Sequence, residues 1–68
     1  MSKPKAKLIG QDGNVFNLLG ICKKAMRNYA RENKDYNANE QFDKMFSEVQ
    51  EGDYDNALRV MMKYCEVS

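Results

Sequence analysis

Three stretches of the chain repeat their apolar residues every three or four positions, the spacing that gathers side chains on one face of an α-helix. In the first, Val15, Leu18, Leu19, Cys22, Ala25, Met26 and Tyr29 form the stripe, and Phe16, Ile21 and Ala30 widen it. The spacing predicts a helix from about Val15 to Asn33, with Asn14 as a side-chain acceptor for its first turn. In the second, Phe42, Met45, Phe46 and Val49 give a clean i, i+3, i+4, i+7 face and predict a helix from about Ala38 to Gln50. Asn37 and Glu40 stand three apart before it, in capping-box spacing. In the third, Tyr54, Ala57, Leu58, Met61 and Cys65 share a face of a helix over roughly Tyr54 to Tyr64. Asp53 caps that helix, and Asp55 in its first turn and Lys63 in its last suit the helix dipole. Val60, Met62 and Tyr64 lie off the stripe, so this third helix is apolar around much of its girth. That marks it as the central helix or as one that contacts a partner.

The segments between and around these helices are polar. Gly10-Gln11-Asp12-Gly13 is turn chemistry. Lys7, Leu8 and Ile9 before it read as a short strand, and Val67 near the other end is placed to pair with Leu8 and Ile9. Gly20 inside the first helix costs about 1 kcal/mol relative to alanine, which points to close approach by a crossing helix. Gly52 is positioned to end the second helix in a left-handed conformation. Residues 1–6 read as a flexible basic tail and residues 7–68 as a single domain. The fold class expected is mainly α: a compact three-helix domain whose extended ends pair as a two-stranded ribbon.

Composition narrows the function classes. A chain of 68 residues buries only about 60% of the surface it exposes when unfolded, and a reaction pocket would consume much of that interior. The chain is 43% apolar and 31% charged, a globular profile rather than a disordered one. Its start is basic but is followed by no apolar run of signal-peptide length, and no stretch approaches the ~18 apolar residues of a membrane span. The expected compartment is cytoplasmic. Cys22 and Cys65 fall on the apolar stripes and read as reduced packing residues.

Net charge is +1, but it is unevenly spread. Residues 1–34 hold eight Lys/Arg against two Asp/Glu, and residues 35–68 hold three against eight. Lys24, Arg27, Arg31 and Lys34 follow helical spacing along one side of the first helix, with Lys23 beside them. Together with Lys3, Lys5 and Lys7 they form a candidate track for a phosphate backbone, bound in a salt-dependent and largely sequence-independent way. Tyr29 and Tyr36 are candidates for base stacking. The plain alternative is a solvated helix face that pairs with acids of the second helix.

Chemistry of other kinds finds little footing. Gly10-x-x-Gly13 lacks the flanking glycine and Lys-Ser/Thr of phosphate-binding loops. Asp53-x-Asp55 begins like a calcium loop, but Ala57, Leu58 and Tyr64 stand where its later ligands and glycine belong. With no histidine and only two cysteines the chain lacks a zinc ligand set of its own and the usual partner of a cysteine nucleophile. No cofactor, metal or small-molecule substrate is expected. The second and third helices also resemble a helix-turn-helix, yet Asp53 and Asp55 would open its reading helix, a poor approach to DNA.

Lys7-Leu8-Ile9-Gly10-Gln11-Asp12-Gly13-Asn14-Val15-Phe16-Asn17-Leu18-Leu19-Gly20-Ile21, then Gly52-Asp53-Tyr54-Asp55-Asn56-Ala57-Leu58, then Tyr64-Cys65-Glu66-Val67 together resemble a family of small proteins found in gut-type Gram-positive bacteria, their phages and mobile elements. The resemblance spans roughly Lys7 to Val67. It implies a compact fold with two glycine–cap junctions, and it brings no activity and no catalytic residues.

These readings converge on a non-enzymatic interaction module. The leading expectation is a protein partner or a second copy held at a face that includes Val60, Met62 and Tyr64. The first alternative is nucleic-acid binding through Lys23, Lys24, Arg27 and Arg31. The second is a phage or mobile-element inhibitor whose acids, Glu40, Asp43, Glu48, Glu51, Asp53 and Asp55, imitate a phosphate track.

Overall fold

A computed structural model describes residues 3–68 as three helices closed by a two-stranded parallel ribbon. The order is β1 (Lys5–Ala6), α1 (Val15–Glu32), α2 (Ala38–Val49), α3 (Tyr54–Tyr64) and β2 (Glu66–Val67). All three helix starts use the side chains that the sequence marks for them. Asn14 Oδ1 accepts from the Phe16 amide at 2.9 Å, Asn37 Oδ1 from the Glu40 amide at 3.0 Å and Asp53 Oδ1 from the Asn56 amide at 3.0 Å. Each bond satisfies one of the donors that a helix leaves open at its start. The reciprocal half of a capping box is replaced at α2, where the Glu40 carboxylate instead faces Lys44 one turn on, at 3.4 Å.

The ribbon forms earlier in the chain than the hydrophobic run at Leu8–Ile9 implies. Pro4, Ala6 and Leu8 are buried while Lys3, Lys5 and Lys7 are exposed, an alternation of period two. Lys5 pairs with Glu66 and Ala6 with Val67, so Val67 meets Ala6 rather than Leu8 or Ile9. The Leu8 and Ile9 amides both donate to the Ser68 carbonyl at 2.9 Å and finish the seam. Residues 4–6, which sequence alone assigns to a tail, are therefore docked to the core. Residues 1–2 of that tail lie outside the described residues.

The interior is apolar throughout, with no buried polar or charged residue among those described. Met26, Met45 and Met61 fill its centre, joined by Leu18, Leu19, Val49, Val60 and the two thiols. Phe42, Phe46 and Leu58 pack against this cluster half-buried, and the two phenylalanines stack with ring centroids 6.1 Å apart. Cys22 and Cys65 are free, buried and hydrogen-bonded to each other. That bond and the surrounding apolar groups push the Cys22 thiol far above its ordinary value. The longest seams are α1 on α2 and α2 on α3, so α2, rather than α3, lies between the other two helices.

Two glycines behave differently from what their positions in sequence imply. A Cβ at Gly20 would meet nothing within 4 Å, so no crossing backbone explains that residue. Gly52 takes no positive φ, and its role is steric. A Cβ there would lie 2.7 Å from the Cβ of Asn56. The bare Gly52 lets Asn56 Nδ2 reach back and donate to the Glu48 carbonyl at 3.1 Å, tying the end of α2 to the start of α3. Left-handed backbone occurs instead at Gly10, with φ of 85°, in the turn closed by the Gln11 amide on the Leu8 carbonyl.

Candidate functional site

α1 has one face in the core and one in solvent, because its apolar stripe is confined to a single side along the helix. The solvent face carries Gly20, Lys23, Lys24, Arg27, Asn28 and Arg31, which line one shallow hollow. Arg27 and Arg31 also border the next hollow, with Lys34 and Tyr36. Asn28 borders a third, which brings Lys3 and Lys5 of the docked N-terminal segment beside Tyr29 and Glu32. The three hollows adjoin one another through Arg27, Arg31 and Asn28. Together they are lined by seven of the chain's 11 basic residues and a single carboxylate, Glu32. Docking of the N-terminal segment brings Lys3 and Lys5 beside α1, with the Lys3 ammonium donating to the Met62 carbonyl of α3.

Neutralisation of these charges by neighbouring acids is the ordinary fate of a basic helix face. Among the described residues the ion pairs join Lys44 to Glu40 and Lys63 to Glu48, and neither involves α1. On α1 itself Lys23 Nζ lies 5.2 Å from the centre of the Phe42 ring. Lys23, Lys24, Arg27, Arg31 and Lys34 thus stand exposed without a carboxylate partner in the described structure. Tyr29 and Tyr36 lie edge to face with centroids 4.9 Å apart, both half-buried. Tyr36 borders the hollow of Arg27, Arg31 and Lys34, and Tyr29 the hollow of Lys3 and Lys5. The Tyr36 hydroxyl is buried with no hydrogen-bond partner, and burial raises its pKa to about 12.

The face expected on α3 does not assemble. Val60 is only 7% exposed and belongs to the core. Tyr64 is half-buried and its hydroxyl donates to the Glu48 carboxylate, which also binds Lys63 at 2.8 Å. Met62 remains exposed, and its carbonyl accepts from Lys3 Nζ at 3.3 Å. Much of the apolar girth of α3 is taken up by α2, α1 and the ribbon, with Met62 and Tyr54 left exposed, a demand that helical periodicity alone does not reveal.

An apolar groove lies elsewhere, where the starts of α1 and α3 meet the end of α2. Val15, Phe16, Leu19, Phe46, Val49 and Tyr54 line about 300 Å³, with Asp53 the one charged neighbour. Phe16 stands 74% exposed at its edge. Tyr54 fixes one wall by donating its hydroxyl to the Gly13 carbonyl at 2.5 Å. The sequence places Phe16 on the widened stripe of α1, and its displacement from the main stripe is the signal that it faces outward.

The acidic positions are more dispersed in their roles. Glu40 and Glu48 are engaged with lysines and Asp53 caps α3. Among the described residues no three acidic or thiol side chains gather closely enough to hold a metal ion. Likewise no described helix is long and apolar enough to cross a membrane. No protein-family model matches the chain, and no curated protein or solved structure is significantly similar to it.

Proposed function

We propose that this protein is a non-enzymatic module that binds nucleic acid through the solvent face of α1. The observation that carries the reading is the row of exposed cations Lys23, Lys24, Arg27 and Arg31 on α1, with Lys34 beyond its end and Lys3 and Lys5 alongside, none of them in an ion pair among the described residues. Bringing seven like charges together disfavours folding, and a polyanion that releases its counterions on binding relieves that repulsion. Phosphate-directed contact suits the side chains on this face, which are point charges and guanidinium forks.

The test is charge reversal on this row. Arg27→Glu combined with Arg31→Glu should reduce affinity for a duplex oligonucleotide by a hundredfold or so at low salt, roughly tenfold for each arginine turned away from a phosphate. Met62→Ala, an exposed apolar change on α3, should leave it unchanged. Equal affinity of the double variant and the natural protein, by fluorescence anisotropy, refutes the reading.

The apolar groove supports a second reading, docking of an amphipathic helix from a protein partner, with Phe16 as the exposed anchor. Phe16→Ala should abolish such an association while sparing the fold. A pull-down in which Phe16→Ala retains the same specific partner would exclude the groove.

A further inference from the structure

Resting on the nucleic-acid reading, we infer that Gly20 is the seat on which one sugar–phosphate strand lies against α1, with Lys23, Lys24 and Arg27 closing on its phosphates. An exposed glycine in mid-helix is unfavourable unless something requires it. Packing inside the protein does not require it: a Cβ at Gly20 would meet nothing within 4 Å. Backbone conformation does not require it either, since Gly20 has no positive φ and sits in regular helix five residues after its start. The requirement therefore lies outside the chain. Gly20 lines the same hollow as Lys23, Lys24, Arg27, Asn28 and Arg31. Residues three, four and seven positions on from it share its face of the helix, so the bare backbone is the floor and the cations are the walls. A strand that rests on this floor comes within reach of shorter, straighter hydrogen bonds from Lys24 and Arg27, and Asn28, about two turns further along the helix, offers an amide donor. A side chain at position 20 fills the floor and holds the strand away from all of them at once.

This assignment separates stability from binding, which an ordinary structural glycine does not. Gly20→Ala should raise Tm by roughly 4–8 °C, the helix-propensity gain of a domain this size. The same change should weaken binding to a 20-base-pair duplex by about threefold, and Gly20→Gln should weaken it by about tenfold, the worth of one phosphate interaction. Ser47→Ala, an exposed change on α2, should leave affinity as it is. Fluorescence anisotropy at low salt and thermal unfolding by circular dichroism provide the two readouts. If Arg27→Glu with Arg31→Glu abolishes binding while Gly20→Gln binds like the natural protein, the seat is wrong and the nucleic-acid reading survives. If the natural protein shows no salt-sensitive binding, both fall. A Gly20→Ala variant of lower Tm would show that position 20 is packed, which also overturns the assignment.

Discussion

Single atoms decide several features of this small domain. The Tyr36 hydroxyl is buried with no partner, so the ring contributes packing and the oxygen subtracts from it. An unsatisfied buried hydroxyl costs about 1–3 kcal/mol. Tyr36→Phe is therefore expected to stabilise the fold by about 1 kcal/mol in urea unfolding at pH 7. The effect should grow at alkaline pH. The pKa of Tyr36 is raised from 10.0 to about 12 in the folded chain, so ionisation favours unfolding once the pH passes 10, and the destabilisation deepens until about 12. Tyr36→Phe should flatten that decline, and an unchanged alkaline profile would mean that the hydroxyl has found a partner. Gly52 gives a complementary case. Its missing side chain makes room for Asn56, whose amide holds the Glu48 carbonyl. Gly52→Ala should destabilise by about 1–2 kcal/mol, because it crowds a tight approach and breaks a hydrogen bond. The opposite signs predicted for alanine at Gly20 and at Gly52 follow from what surrounds each position and not from the residue type.

At the scale of elements, the helices are legible in the sequence because each carries its own start signal. Asn14, Asn37 and Asp53 cap locally, and the apolar spacing needs no knowledge of the rest of the chain. The ribbon is less legible. Pro4 and Ala6 are small and alternate with lysines, so their burial is visible only once β2 is known to lie alongside. The outward faces are legible only in part: the α1 cations follow from spacing, whereas the burial of Val60 depends on how three helices share one core. The α2–α3 seam adds a pH-dependent tie. The Lys63 ammonium and the Tyr64 hydroxyl, hydrogen-bonded to Glu48, hold its carboxyl below the ordinary 4.5, and the Glu48 carboxylate in turn raises Lys63. A lowered carboxyl contributes stability that is present above its unfolded value and fades as pH falls through its folded one. Glu48→Gln should accordingly melt below the natural protein at pH 7, with the gap narrowing as the pH falls below the ordinary carboxyl value of 4.5. A gap that stays constant as the pH is lowered into the acid range would mean that packing, and not charge, accounts for it. The tie is open to solvent, so the effect is small.

At the scale of the whole molecule, an apolar interior and a segregated surface are two sides of one arrangement. The three methionines and their neighbours fill the centre with no polar residue among them, so charge is confined to the exterior. There, residues 1–34 hold the positive excess and residues 35–68 the negative one. Folding does not pair the two along α1, and β1 docks two further lysines beside it. The most direct measurement is the salt dependence of binding to a duplex oligonucleotide by fluorescence anisotropy. Four phosphate contacts from α1 predict that log K falls against log salt with a slope of about −3.6. Arg27→Ala should bring that slope about one unit closer to zero. Undetectable binding at low salt, or a slope that Arg27→Ala leaves unaltered, would contradict a phosphate-binding face on this helix.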